Sequence, residues 1–261
     1  MHTTANGEDL LATFDRRMRR DVKPDGPGAV VERTGGVVRQ TAPAGWNGVL
    51  WSGLDRDTAD AAIAAQVGHF TALGLDFEWK LYAHDGPADL GARLLATGFT
   101  ADPEEALMIA RVEDLPTEVV LPEGVRLHPV AEPADAELMA QVHQAAFGSG
   151  HARIRDRVLA QLAEAPETAF SVLAMAGDQP VCAARMELCP GTGFAGLWGG
   201  GTVAAWRGRG IYRALIAYRA RIAAARGYQY LQVDASDESR PILQRLGFTR
   251  AGSTTPYQYQ V

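Results

Sequence analysis

Cysteine and lysine are scarce in this 261-residue chain, and long apolar runs are missing. The only cysteines, Cys182 and Cys189, fall in what reads as one strand and its exit. Thiols so placed suggest neither a disulfide framework nor a metal site, and a reducing cytoplasmic setting fits them. No stretch approaches the roughly 18 uninterrupted apolar residues of a membrane span. Met1–Asp9 likewise shows no basic region followed by an apolar one, so neither export nor membrane insertion is expected. Of 25 basic residues only Lys23 and Lys80 are lysine, and the net charge is -6. That balance argues against nucleic acid as a partner, because such binding needs clustered cations to neutralise phosphates. An acidic chain better suits a cationic substrate. The one basic run, Arg16-Arg17-Met18-Arg19-Arg20, follows Leu10, Leu11 and Phe14 at helical spacing and reads as the solvated face of an amphipathic helix.

With 47% hydrophobic and 21% charged residues the chain has ample material for packed cores, and its length favours two domains. The segment Val112–Gly124 combines Pro116 and Pro122 with acidic residues and a closing glycine, as a linker would. The expected organisation is therefore a first domain over 1–114, a linker over 115–124 and a second domain over 125–261. Before the linker, strands are expected near 29–41, 47–53 and 77–82, with helices over 58–73 and 88–96. After it, a strand over 125–130 and helices over 135–147 and 152–163 lead into three strands at 170–175, 180–188 and 194–203. A long helix over 208–225, a strand over 228–233, a short helix and a last strand from Phe248 follow. Both halves close alike, Leu95-Ala96-Thr97-Gly98-Phe99 against Gln244-Arg245-Leu246-Gly247-Phe248, which suggests a duplication.

The stretch Thr202-Val203-Ala204-Ala205-Trp206-Arg207-Gly208-Arg209-Gly210-Ile211-Tyr212-Arg213 takes an apolar strand through a glycine-containing turn into a long helix. Free N–H groups and the positive dipole end at such a helix start attract anions, and glycine admits a phosphate close to the backbone. A P-loop would need a Gly-Lys-Ser/Thr ending, which is absent, and a dinucleotide fold would need G-x-G-x-x-G early in a βαβ unit, whereas Gly208 and Gly210 are followed by Arg213.

The stretch resembles the acyl-CoA signature of the GCN5-related N-acetyltransferases, with Arg207 and Gly210 on matching positions and Tyr212 where that family has a small residue. The order of elements over 125–261 resembles that family too. The resemblance implies an α/β (α+β) fold of two such domains, each a mixed, mostly antiparallel sheet flanked by helices, with a degenerate N-terminal copy that lacks the signature. It implies acetyl-CoA as acyl donor and an amine of a small molecule or peptide as acceptor, with a non-catalytic acyl-CoA-binding module as the alternative. Homodimerisation is left open.

By the resemblance, Thr202, Val203 and Ala204 lie along pantetheine, and Gly200 supplies the oxyanion-stabilising N–H. The residues Arg207, Gly208, Arg209, Gly210, Ile211, Tyr212 and Arg213 surround the pyrophosphate, and Ser236 and Arg240 reach the cofactor from the following strand's end. Ser236 could equally cap a short helix, and Gly199-Gly200-Gly201 could equally be a β-bulge without a ligand. The family's usual glutamate base falls on Gly196 and its usual tyrosine acid on Leu243, so both are missing. Glu187 is the first substitute for the base, acting through water, with His143, His151, Tyr257 and Tyr259 as further candidates. Cys182 reads as a small buried hydrophobe, so direct transfer is expected.

Overall fold

The computed structural model describes residues 10–24, 28–42, 45–148 and 150–261. The expectation for Met1–Asp9 therefore lies outside the described residues. In chain order, a π-helical segment (Asp15–Arg20) precedes β1 (Val30–Thr34), β2 (Val37–Thr41), β3 (Gly48–Ser52), α1 (Ala59–Leu73), β4 (Phe77–Tyr82), α2 (Leu90–Ala96), β5 (Thr100–Ala101) and β6 (Glu105–Arg111). Then come β7 (Val125–Pro129), α3 (Pro133–Phe147), α4 (His151–Glu164), β8 (Ala169–Ala176), β9 (Gln179–Cys189) and β10 (Phe194–Thr202). The chain ends with α5 (Ile211–Ala225), β11 (Tyr230–Ala235), α6 (Arg240–Arg245) and β12 (Thr249–Tyr259).

These elements divide into two compact units. The first runs to Met108 and also takes Asp234–Gln244 and Thr249–Val261; the second holds Ile109–Val233 and Arg245–Phe248. The compact units thus take two C-terminal segments into the first, where the sequence predicts a contiguous division at 115–124. The physical reason is a long-range pairing: β12 lies antiparallel to β4, from Thr254↔Tyr82 to Tyr259↔Phe77, and so extends the first unit's sheet. Without it, β4 would offer other chains an apolar edge carrying Phe77 and Trp79, a known hazard for aggregation. Tyr257 and Tyr259, on β12, pack partly buried against that unit's core.

Within the first unit β1, β2 and β3 are antiparallel neighbours, and β3 pairs in parallel with β4 across the α1 connection. The second unit repeats the pattern: β7, β8, β9 and β10 are antiparallel, and β10 pairs in parallel with β11 across α5. Each is thus a mixed, mostly antiparallel sheet with helices. The shared endings are alike in geometry as well, with Gly98 at φ +104° and Gly247 at φ +103°. At those angles only glycine is unstrained, and the phenylalanine after each is buried.

The basic run is solvated at Arg16 and Arg20, which are exposed, but not at Arg19. Arg19 is 2% exposed. Its guanidinium donates to Leu50 O at 2.9 Å, to Asp15 at 2.6 Å and to Asp85 at 2.5 Å, and stacks on the Tyr82 ring. A buried cation survives only when paired, and two carboxylates far apart in sequence pair this one. Lys80 is also buried in the first unit, bonded to Asp234. Beside them, burial and the Asp234 charge push the Glu105 carboxyl up to about 7.

The second unit's sheet is covered on both faces. Leu173, Met175 and Ala183 pack against Met139, Val142, Ile154 and Val158 of α3 and α4. Val172, Ala174, Cys182 and Ala184 pack against Ile211 and Leu215 of α5. Alternate residues of a strand point to opposite faces. On β9, therefore, Ala183, Arg185 and Glu187 share the α3/α4 face, and Cys182 and Ala184 the α5 face.

Candidate functional site

The strand-turn-helix geometry forms as its sequence implies. After β10 the chain makes a single 3₁₀ turn over Ala204–Trp206 and enters α5 through Gly208 at φ +73° and Gly210 at φ +82°. Gly210 is the N-cap and no side chain caps the helix. The first intrahelical bond is Ala214 N to Gly210 O at 3.0 Å, so the first-turn donors of Ile211, Tyr212 and Arg213 point out of the helix start. The Ile211 side chain itself is core. Arg207 donates to Thr202 O at 3.1 Å and to Ala146 O at 3.3 Å, and so holds the turn against the last turn of α3. Arg209 sits over the Trp206 ring, and an Arg213 nitrogen would lie 3.5 Å from a Cβ built on Gly210. Donors, dipole and guanidinium groups converge on one turn.

The strand leading there splays. The register of β10 against β11 runs only from Phe194↔Tyr230 to Gly196↔Gln232, whereas β10 stays on β9 as far as Thr202↔Cys182. Between Trp198↔Arg185 and Gly201↔Ala183, two residues of β10 face one of β9, so Gly199 and Gly200 form a bulge. The glycine triplet has local causes. Gly199 has φ +57°, a Cβ on Gly200 would meet Tyr212 Cε2 at 2.8 Å, and one on Gly201 would meet Phe147 Cε2 at 2.7 Å. The bulky residue of the signature, Tyr212, thus lays its ring on the Gly200 backbone rather than over the phosphate turn.

Glu187 stands directly across from Gly196 in the β9–β10 register. Paired residues of an antiparallel ladder carry their side chains on one face, roughly 5 Å apart. The Glu187 carboxylate thus lies on the same face as position 196, where the family's usual carboxylate is missing. Its Oε1 accepts from Arg157 at 2.9 Å, Gln161 at 2.5 Å and Arg185 at 3.4 Å. Arg185 is buried, and that burial, with Arg157 beside it, lowers its guanidinium to about 10. Sequence reading did not foresee Arg157, Gln161 and Arg185 around Glu187. Only the even spacing of Arg185 and Glu187 along one strand signalled a shared face.

The other candidates have local partners of their own. Ser236 and Arg240 belong to the first unit; Ser236 Oγ lies 3.3 Å from Ser239 Oγ, its carbonyl accepts from Arg240 N at 2.9 Å, and Arg240 pairs with Asp237. Leu243, in place of the usual tyrosine, is fully buried. His151 is bonded to Glu137 at 2.9 Å, and the His143 ring packs against Phe147. Cys182 is bonded to Thr202 Oγ1, and burial pushes its thiol up to about 11, far from a nucleophilic thiolate at neutral pH.

Solved structures share this architecture. A GCN5-related N-acetyltransferase from Kribbella flavida is 16% identical, with 97% of this chain and 95% of that chain covered at a TM-score of 0.67. One from Sphaerobacter thermophilus is 16% identical, with 87% of this chain and 81% of that chain covered at 0.57. A tandem protein of this fold from the clavulanic acid biosynthesis pathway is 12% identical, with 98% of this chain and 87% of that chain covered at 0.54. No protein-family model matches the sequence, and neither does any curated protein. The fold is therefore that of the GCN5-related N-acetyltransferases. Two copies of it stand in tandem in this chain, and the strand-turn-helix signature occurs in the second.

Proposed function

We propose that this chain is an N-acetyltransferase that moves acetyl from acetyl-CoA onto an amine by direct attack. The observation that carries this reading is the open start of α5, with Gly208 and Gly210 in left-handed conformation and Arg207, Arg209 and Arg213 around it, at the end of a strand that has parted from β11. The first-turn donors and arginines would hold the pyrophosphate. The backbone of Thr202, Val203 and Ala204 would lie along pantetheine, and the bulged Gly200 would donate its N–H to the thioester oxygen as negative charge develops there.

The attacking amine must lose a proton. Glu187, opposite Gly196 on the acceptor face, takes it through water in this reading. Proton transfer of this kind makes a modest contribution, roughly 10²-fold. Positioning amine and thioester together can supply about 7–11 kcal/mol. A resolving thiol is not needed, and Cys182 is held as a neutral core side chain.

The test is acetyl-CoA-dependent thiol release with a panel of amines, with initial rates taken at crossed concentrations. Direct transfer gives intersecting double-reciprocal lines. Parallel lines with an acetylated Cys182 would overturn the mechanism, and acetyl-CoA binding without transfer to any amine would favour a non-catalytic binding module.

A further inference from the structure

The polar cluster around Glu187 holds more hydrogen-bonding capacity than it uses. Four of its buried atoms have no partner: Arg157 Nε, Gln161 Oε1, Arg185 Nε and Gln232 Oε1. Arg185 and Gln232 are only 7% and 5% exposed. A buried polar atom left unpaired costs about 1–3 kcal/mol, so four in one place call for a ligand. They converge near the chemistry. A Cβ on Gly199 would lie 3.6 Å from Arg185 Nε, and one on Gly196 would lie 3.1 Å from Gln232 Nε2. Gly199 adjoins Gly200. The cluster also lies on the α3/α4 face of the sheet, opposite the face covered by α5, so it is separate from the phosphate turn.

Its charge is unbalanced as well. Arg157 and Arg153 both act on Arg185 as neighbouring cations, and Glu187 is the one carboxylate among the groups that act on it. Arg155, on the same helix, is already paired with Asp156. Unused guanidinium N–H groups suit a planar carboxylate. Glu187 and the Gln161 carbonyl oxygen, a few ångströms away, suit an amine. Resting on the transferase reading above, we infer that the acceptor is a small amine that carries its own carboxylate, as an amino acid does. The local field thus reverses the preference for a purely cationic substrate that the net charge suggests.

The experiment compares acceptors matched except for the carboxylate, lysine with pentane-1,5-diamine and phenylalanine with phenethylamine, with phosphoethanolamine as a different anion. Sites that pair a buried polar group with the substrate reject the analogue lacking it strongly, so kcat/KM should favour the carboxylated member by about 10²-fold or more. Arg157→Gln and Arg185→Gln should each erase most of that ratio, chiefly by raising KM for the carboxylated member. Arg157 is partly exposed, so its variant tests the point even if the Arg185 variant fails to fold. Equal rates within pairs, a preference for the diamine or phosphoethanolamine, or a ratio unchanged in Arg157→Gln would each overturn the inference and leave the transferase standing. Acetyl-CoA binding with no transfer to any amine would instead remove the transferase reading, and the inference with it.

Discussion

Gly210→Glu separates the phosphate site from the fold. Gly210 has φ +82°, where an L-residue costs about 1–2 kcal/mol. The site has room, because the nearest atom to a new Cβ is the flexible end of Arg213 at 3.5 Å. A carboxylate beside a helix N-terminus returns about 0.3–1 kcal/mol through the dipole. The net loss should be about 1 kcal/mol, a fall of roughly 2–4 °C in Tm for a protein of this size. Binding should suffer far more. A carboxylate about 5 Å from a phosphate charge, at an effective dielectric of about 20, repels it by about 3 kcal/mol. It would also pair with Arg213 and withdraw that cation from the ligand. Titration calorimetry with acetyl-CoA should therefore show affinity reduced by at least about 10²-fold, with the melting curve barely moved. Gly210→Ala, which carries the strain without the charge, should lose much less. If the glutamate variant bound acetyl-CoA within about threefold of the parent, the anion site would be misplaced.

Three further outcomes follow from the same geometry. Glu187→Gln should lower kcat by about 10²-fold, as measured by thiol release; an unchanged kcat would exclude Glu187 as the base. Cys182→Ala should keep turnover within about threefold, because direct transfer does not use the thiol, and should lower stability in denaturant by about 1 kcal/mol through the small cavity left behind. Glu105 gains a proton on folding, since its carboxyl rises from 4.5 to about 7. Its favourable share is thus present below about pH 4.5 and is lost as pH rises through 7. Glu105→Gln should flatten the fall in unfolding free energy between pH 5 and pH 8, measured in denaturant, by an amount on the order of 1–3 kcal/mol, and a parental slope in the variant would refute the assignment.

Local chemistry was legible in the sequence because neighbouring residues produce it. Aromatic and apolar alternation marked the strand Phe77–Tyr82, and the Gly-Phe pairs marked two helix exits whose glycines share one conformation. Arg207, Gly208 and Gly210 marked a turn where only glycine relaxes into left-handed angles and where helix donors emerge. Periodicity placed Arg19 on an amphipathic helix but could not report the carboxylate of Asp85, 66 positions away, that buries with it.

Tertiary structure decided whatever depends on register between distant strands. That β12 pairs with β4 is a choice between sheet edges, and no feature of either strand alone names its partner. The same holds at the site. Gly196 and Glu187 are nine positions apart in sequence, and only the antiparallel register sets them opposite each other. Tyr212 departs from the signature, and its ring resting on Gly200 emerges once α5 has packed on the sheet. Composition fixed the sign of the whole chain's charge. Which guanidinium N–H groups stand unused beside Glu187 was settled by folding, because a field falls off within ångströms while net charge ignores distance.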